Sequence, residues 1–152
     1  MQKVTLLVVG KLKSSELLSL EADYLKRIKL FELNITELKG QREDIALEAK
    51  LIEDKITDLT KSSPGLVILL REKGKEMDSK AFAHWLKEKH ETHRHLIFVI
   101  GGAAGLSSQL IEKFKTSISL SLLTFPHQLA RLIFIEQLFR AQTIQEGHPY
   151  HK

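Results

Sequence analysis

The stretch His95-Leu-Ile-Phe-Val-Ile-Gly-Gly-Ala-Ala-Gly-Leu-Ser-Ser108, followed by Ile118-Ser-Leu-Ser-Leu-Leu-Thr-Phe-Pro-His127, decides the fold class. Leu96 to Ile100 is an unbroken apolar run that stops at Gly101-Gly102, the pattern of a buried parallel strand ending in a tight turn. Gly105 follows, and Ser107 or Ser108 is placed to cap a helix through Phe114. Ser117, Ser119 and Ser121 then alternate with Ile118, Leu120 and Leu122, which is the period of a strand. The next loop closes at Pro126, whose fixed φ suits the first turn of a helix. Two successive strands thus each run into a loop that feeds a helix, and ligands in open α/β sheets bind at such carboxyl ends. Gly-Gly-x-x-Gly is not the dinucleotide fingerprint, and no acidic residue about 20 positions on closes a strand. By itself it is equally a turn that uses Gly for positive φ.

Working outward, the same alternation recurs along the chain. Val4 to Val9 reads as a buried strand ended by Gly10-Lys-Leu-Lys13. Ser14 or Ser15 opens a helix with Leu17, Leu20, Tyr24, Leu25 and Ile28 at helical spacing. Phe31 to Leu38 fits a second strand, broken at Gly40. A long amphipathic helix spans roughly Arg42 to Leu59, and Ser62-Ser-Pro-Gly65 is a turn. Leu66 to Leu70 is the third strand, followed by the charged segment Arg71-Glu-Lys-Gly-Lys75. Asp78 or Ser79 caps a helix through about Lys89. Strands separated by helices imply an α/β fold: a single domain over residues 1–152, with a five-stranded, mostly parallel sheet covered by helices on both faces. From Pro126 to Ala141 the last helix is apolar around most of its circumference. Its covers are either the rest of its own chain or a second subunit.

Composition sets the bounds. A chain of 152 residues supports one domain. No apolar run approaches the roughly 20 residues of a membrane span, and the N-terminus reads as a strand without a signal-peptide pattern, so a cytoplasmic protein is expected. Zero cysteines exclude disulfides, thiolate metal sites and a thiol nucleophile. The net charge of +4 permits nucleic acid as a partner without requiring it. His84, His90, His93 and His95 span a helix end and a polar loop with no acidic helper at fixed spacing, so no metal is expected.

Four motifs together go further: Val99-Ile-Gly-Gly-x-x-Gly-Leu-Ser, Leu120-Ser-x-x-Thr-x-Pro-His-Gln-Leu-x-Arg, Glu136-Gln-Leu-x-Arg-Ala, and the terminal Gly147-x-Pro-Tyr-His-Lys. Over nearly the whole chain, and most specifically in its last third, the sequence resembles the ribosomal RNA large-subunit methyltransferase H family, in the SPOUT class of trefoil-knotted methyltransferases. The resemblance implies a C-terminal trefoil knot, a homodimer, S-adenosylmethionine (SAM) as cofactor, and N3 of a pseudouridine in large-subunit (23S) ribosomal RNA of assembled ribosomes as acceptor. The missing cysteine already argues against carbon-5 methylation of a pyrimidine, which normally proceeds through a cysteine adduct, and leaves a ring nitrogen or a ribose oxygen. Two other classes stay open: a non-catalytic RNA- or ribosome-binding module of this fold, and an enzyme that binds NAD or ATP at the glycine turn.

By the same resemblance, cofactor contacts fall on three loops: Leu70 after the third strand, Gly102 after the fourth, and Ser121, Leu122, Leu123, Thr124, Phe125 and Pro126 after the fifth. Several relatives have Asp or Asn where this chain has Ala104. The catalytic candidates are Arg140, Tyr150 and His151. An imide N3–H is a weak acid whose anion spreads onto two carbonyl oxygens, so a cation beside them favours deprotonation. Arg140 is placed for that, or for an i,i+4 pair with Glu136. The imidazole of His151 is a candidate base for the proton, and Tyr150 offers a ring for base stacking. Pro149 holds His148 extended, so Tyr150 to Lys152 are expected to project as a tail beyond every core element. RNA contacts are expected from His127, Lys152, Lys11 and Lys73.

Overall fold

The computed structural model describes residues Met1–Lys152. Ten elements alternate along the chain: β1 (Gln2–Val9), α1 (Ser15–Arg27), β2 (Phe31–Leu38), α2 (Ile45–Thr60), β3 (Leu66–Glu76), α3 (Ser79–Thr92), β4 (His95–Ile100), α4 (Ser108–Lys113), β5 (Ser117–Ser119) and α5 (His127–Gln145). The five strands form one sheet in the order β2-β1-β4-β3-β5, and every pairing is parallel. Four helices start where short polar side chains satisfy otherwise unpaired amides. Ser14 Oγ accepts from Leu17 N, Asp44 from Leu47 N, Asp78 from Ala81 N and Ser107 from Leu110 N, each such cap contributing about 1 kcal/mol.

The pleat divides the core. Val4, Leu6 and Val8 of β1 join Leu96, Phe98 and Ile100 of β4 on the face covered by α1, α3 and α5. Leu7, Val9, Ile97 and Val99 point to the other face, under Ala49, Ile52 and Ile56 of α2 and Leu110 of α4. Both central strands are apolar at nearly every position because both of their faces are covered.

Three elements depart from the sequence reading. β3 does not stop at Leu70. It pairs with β5 at Leu69 and Leu70, bulges, and pairs again at Lys75 and Glu76. Gly74 makes this possible, since a Cβ there would lie 2.5 Å from the Ile118 carbonyl carbon. The charged segment thus wraps β5 at backbone contact, which its composition hides. β5 itself is only three residues long, and Ser121 and Leu122 belong to the loop. α2 begins at Ile45, because Arg42 and Glu43 adopt positive φ (49° and 64°) ahead of the Asp44 cap.

α5 is covered mainly within its own chain. Leu132, Phe134, Ile135, Leu138 and Phe139 are buried, the last four packed with residues of α1 and α3. Leu129, Ile133, Glu136, Gln137, Arg140 and Ile144 remain open or half-open along one side. Two polar anchors hold the helix. Gln142 Oε1 accepts from Lys29 N at 2.6 Å and Leu30 N at 2.8 Å, while its Nε2 donates to Arg27 O at 2.9 Å. Arg131 is buried and donates to both oxygens of Glu21, each at 2.8 Å, and to Glu37 Oε2 at 2.7 Å. Burial works against the Arg131 cation, but the two carboxylates outweigh it and hold its pKa above the ordinary value. Burial likewise opposes the Glu37 carboxylate, while the Leu12 N–H and Arg131 prevail and lower its pKa.

Candidate functional site

The bulge of β3 and the carboxyl ends of β4 and β5 open into a cleft of about 870 Å³, within the size range of small-molecule sites. Leu70, Gly102 and the run Ser121-Leu-Leu-Thr-Phe-Pro126 all line it, with Ile100, Leu106, Ile111, Leu120 and Ala130 supplying apolar wall and Arg71, Glu72 and Lys73 a charged rim. The structure therefore brings every one of the eight cofactor-contact candidates to a single cavity. The turn at its base is closed by Gly105 N donating to Gly102 O at 2.9 Å, with Gly105 at φ +83°. In the fifth loop, Leu123 N donates to Ser121 Oγ at 3.0 Å, while Leu122 and Leu123 are 68% and 71% exposed. Their side chains are not core packing.

Gly102 has no room for a side chain. A Cβ there would point away from open space, 2.9 Å from Glu48 Oε1 and 3.2 Å from Val9 Cγ1. The carboxylate of α2 occupies the space that a side chain at position 102 would need. Glu48 went unnoticed in the sequence, although it is spaced i,i+4,i+8 with Ile52 and Ile56 on the buried stripe of its helix.

Of the four RNA-contact candidates, His127 and Lys73 line the cleft. The His127 ring covers Gly10, whose added Cβ would lie 3.1 Å from Nε2. Lys11 is exposed just beyond Gly10, and Lys152 is exposed and does not line the cleft.

The catalytic candidates form a second cluster. Arg140 donates to Glu136 Oε1 through Nε at 3.0 Å and Nη2 at 2.6 Å, and through Nη1 to His151 Nδ1 at 3.0 Å. These bonds to Glu136 raise its pKa further. Arginine has only donors, so Nδ1 is the acceptor and the ring proton of His151 sits on Nε2. Tyr150 Oη donates to Glu136 Oε1 at 3.2 Å. Its ring meets Phe139 edge-on at 4.8 Å and lies 4.9 Å from the Arg140 guanidinium carbon. Burial, then Tyr24 and Glu136, push its phenol up to about 12. Arg140 forms the i,i+4 pair with Glu136 and also contacts the terminal residue His151.

The projecting tail is thus corrected. Gly147 takes φ +71° and His148 N donates to Thr143 O at 2.8 Å, a left-handed helix end that folds the chain back and seats Tyr150 against the core. None of Arg140, Tyr150 and His151 reaches the cleft of its own chain. His127 and Arg140 are thirteen residues apart on α5, roughly 20 Å at helical rise.

The family described as "Predicted SPOUT methyltransferase" matches residues 2–151. The chain belongs to the SPOUT methyltransferases. Within that family it is 39% identical over 155 residues to a protein of Phocaeicola vulgatus and to one of Bacteroides thetaiotaomicron, with 98% of each chain covered in both cases. It is 38% identical over 158 residues to one of Carboxydothermus hydrogenoformans, with 99% of each chain covered. All three are named ribosomal RNA large subunit methyltransferase H. That places this SPOUT chain in the methyltransferase H group, and the match runs through both the cleft and the C-terminal cluster.

Proposed function

We propose that the protein transfers a methyl group from SAM to N3 of a pseudouridine in 23S ribosomal RNA of assembled cytoplasmic ribosomes, as a homodimer whose C-terminal chain is threaded in a trefoil knot. The observation that carries this reading is the convergence of Leu70, Gly102 and Ser121 to Pro126 on one cleft in a chain so similar to proteins named for methylating ribosomal RNA. The cleft suits an adenosyl ligand. Its walls are apolar at Leu106, Ile111 and Leu120, and the loops around it offer backbone amides and carbonyls for ring edges and hydroxyls. When bound, SAM supplies a methyl activated by its sulfonium, so the protein needs to provide only position and a route for one proton. The wrapping of Arg71 to Lys75 around β5 is the local feature that favours a threaded chain.

The separation of cleft and cluster calls for two subunits. In an isologous pair whose two-fold axis crosses α5, the helix of one protomer runs antiparallel to the other, so its C-terminal end meets the partner's N-terminal end. The open side of α5, with Leu129, Ile133 and Arg140, and the neighbouring exposed Leu122 and Leu123 form the contact. Each cleft then receives Arg140, Tyr150 and His151 from the other copy. Tyr150 stacks on the target or a neighbouring base. Arg140 turns toward the imide oxygens, which lowers the cost of the anion and frees His151 Nδ1 to accept the N3 proton. His127, Lys11, Lys73 and Lys152 meet phosphates.

The test pairs calorimetric titration of SAM, NAD and ATP with incorporation of tritiated methyl into ribosomes lacking the modification. SAM alone should bind, and label should appear in 23S RNA. SAM binding without label would make the chain a silent ribosome-binding module, and binding of NAD or ATP instead would give the cleft to a different chemistry. Sedimentation should show a dimer at micromolar concentration, and Ile133→Glu should convert it to monomer.

A further inference from the structure

Three charges lie on the buried stripes of helices: Glu21 on α1, Glu48 on α2 and Arg131 on α5, at 4%, 5% and 6% exposure. Glu21 and Arg131 answer each other. Glu48 is answered by no cation of the chain: it forms none of the molecule's ion pairs. Its Oε2 accepts one bond, from Gln41 N at 3.1 Å, and its Oε1 is buried with no hydrogen-bond partner at all. Buried carboxylates without a countercharge are costly, and proteins retain them where something else supplies it.

The position of the orphan oxygen says where that something lies. Oε1 is 2.9 Å from the place of a Gly102 Cβ, so the carboxylate abuts the back of Gly102, which lines the cleft. Only a glycine separates Glu48 from the ligand space. On its far side Glu48 ties down Gln41, at the entrance to the Arg42–Glu43 segment held at positive φ. Such backbone persists only where its surroundings enforce it. Glu48 is therefore held rigidly, with its charge directed at the glycine turn.

We infer that Glu48 is a specificity-determining residue, whose negative charge behind Gly102 makes the cleft favour a cationic adenosyl ligand over its neutral counterpart. The inference rests on the reading of the cleft as a SAM site. SAM carries a sulfonium, and S-adenosylhomocysteine (SAH), the product left after methyl transfer, has a neutral thioether in its place. The two differ at the reacting centre by one methyl and one positive charge. A fixed carboxylate in a low-dielectric wall acts on that charge difference far more strongly than it would in water. It holds the substrate form of the cofactor and lets the product form leave.

The test is calorimetric, needs no turnover, and compares Glu48→Gln with the unaltered chain for both ligands. Gln keeps the shape and the acceptor for Gln41 N, so the thermal midpoint should change little while the charge is gone. SAM affinity is expected to fall about tenfold, or 1.4 kcal/mol, with SAH affinity essentially unchanged. Glu48→Asp, which keeps the charge, should retain the preference for SAM even where it loosens both ligands. An equal loss of SAM and SAH in Glu48→Gln, or no loss of either, overturns the inference and leaves the cleft's assignment standing. So does Glu48→Asp behaving like Glu48→Gln. If the unaltered chain binds neither ligand, the reading of the cleft itself fails and this inference fails with it.

Discussion

The two ends of α5 are built on opposite plans. At its N-terminal end His127 joins a cleft lined by loop residues and apolar side chains. At its C-terminal end Arg140, Glu136, Tyr150 and His151 form a closed network of side-chain hydrogen bonds. The first end can hold a ligand but offers no group suited to moving a proton from an imide, save His127. The second has the cation, the ring and the imidazole, but does not line the cleft. A helix about 28 Å long keeps them apart, so neither end suffices alone. The lesson is that binding and chemistry should separate under mutation.

Ending the chain at Pro149 tests that separation most severely. Loss of the stack costs about 1–3 kcal/mol, and loss of general base catalysis a further 10²–10⁴-fold in rate. Methyl incorporation into unmodified ribosomes should therefore drop by at least about a thousandfold, while calorimetric SAM affinity stays close to that of the full chain. Because Tyr150 packs edge-on against Phe139, the truncated chain should also melt at a lower temperature, by an amount set by about 1–3 kcal/mol. A truncated enzyme that kept more than about a tenth of its activity would leave the chemistry to Arg140 and the Ser121 to Pro126 loop.

Arg131 sits between the two ends and serves both. Arg131→Ala leaves Glu21 buried with no countercharge and removes a bond from Glu37, and breaking a buried pair in this way costs about 3–5 kcal/mol. Denaturant unfolding should show that loss, and both SAM binding and dimerisation should weaken together because the whole helix is loosened. The conservative Arg131→Lys cannot reproduce the paired bonds to Glu21 and should recover only part of the stability. A variant that lost stability while one end of α5 kept its full function would show that the ends are anchored separately.

The sequence carried the alternation of elements and three of the helix caps, at Ser14, Asp78 and Ser107, because each leaves a local mark: period, capping residue, Gly and Pro at turns. The residues of the cleft were legible only through the family resemblance. What it hid depends on contacts distant in the chain. Arg71 to Lys75 looks like a solvated loop, and only the approach of Ile118 to Gly74 makes it strand. Glu21 and Arg131 are 110 positions apart. Each had a local signal, a charge on an otherwise apolar stripe, but its partner could not be read from spacing. The fold-back of Tyr150 depends on Phe139 and Glu136 beneath it, and a terminal tripeptide gives no hint of that.

The smallest effect expected is that of Tyr150→Phe, and it asks which part of the tyrosine matters. If the ring is needed for stacking, Phe serves as well, and methyl transfer should stay within about tenfold of the unaltered enzyme. The hydroxyl contributes its bond to Glu136 Oε1 at 3.2 Å, a net stabilisation of about 1 kcal/mol. That contribution has a definite dependence on pH. An ordinary tyrosine ionises near 10, whereas burial pushes Tyr150 up to about 12 in the folded chain. The folded state thus favours the neutral phenol. The resulting stability is fully present below pH of about 10 and is lost as the pH rises through about 12. The difference in unfolding free energy between the two proteins should be constant through neutral pH and shrink across that alkaline window. Phenolate absorbance should likewise lose its highest-pH transition in Tyr150→Phe. If the transition that Tyr150→Phe removes lies near pH 10 rather than about 12, or if methyl transfer falls a hundredfold, about 2.7 kcal/mol, the hydroxyl moves from structure into the chemistry of the proton.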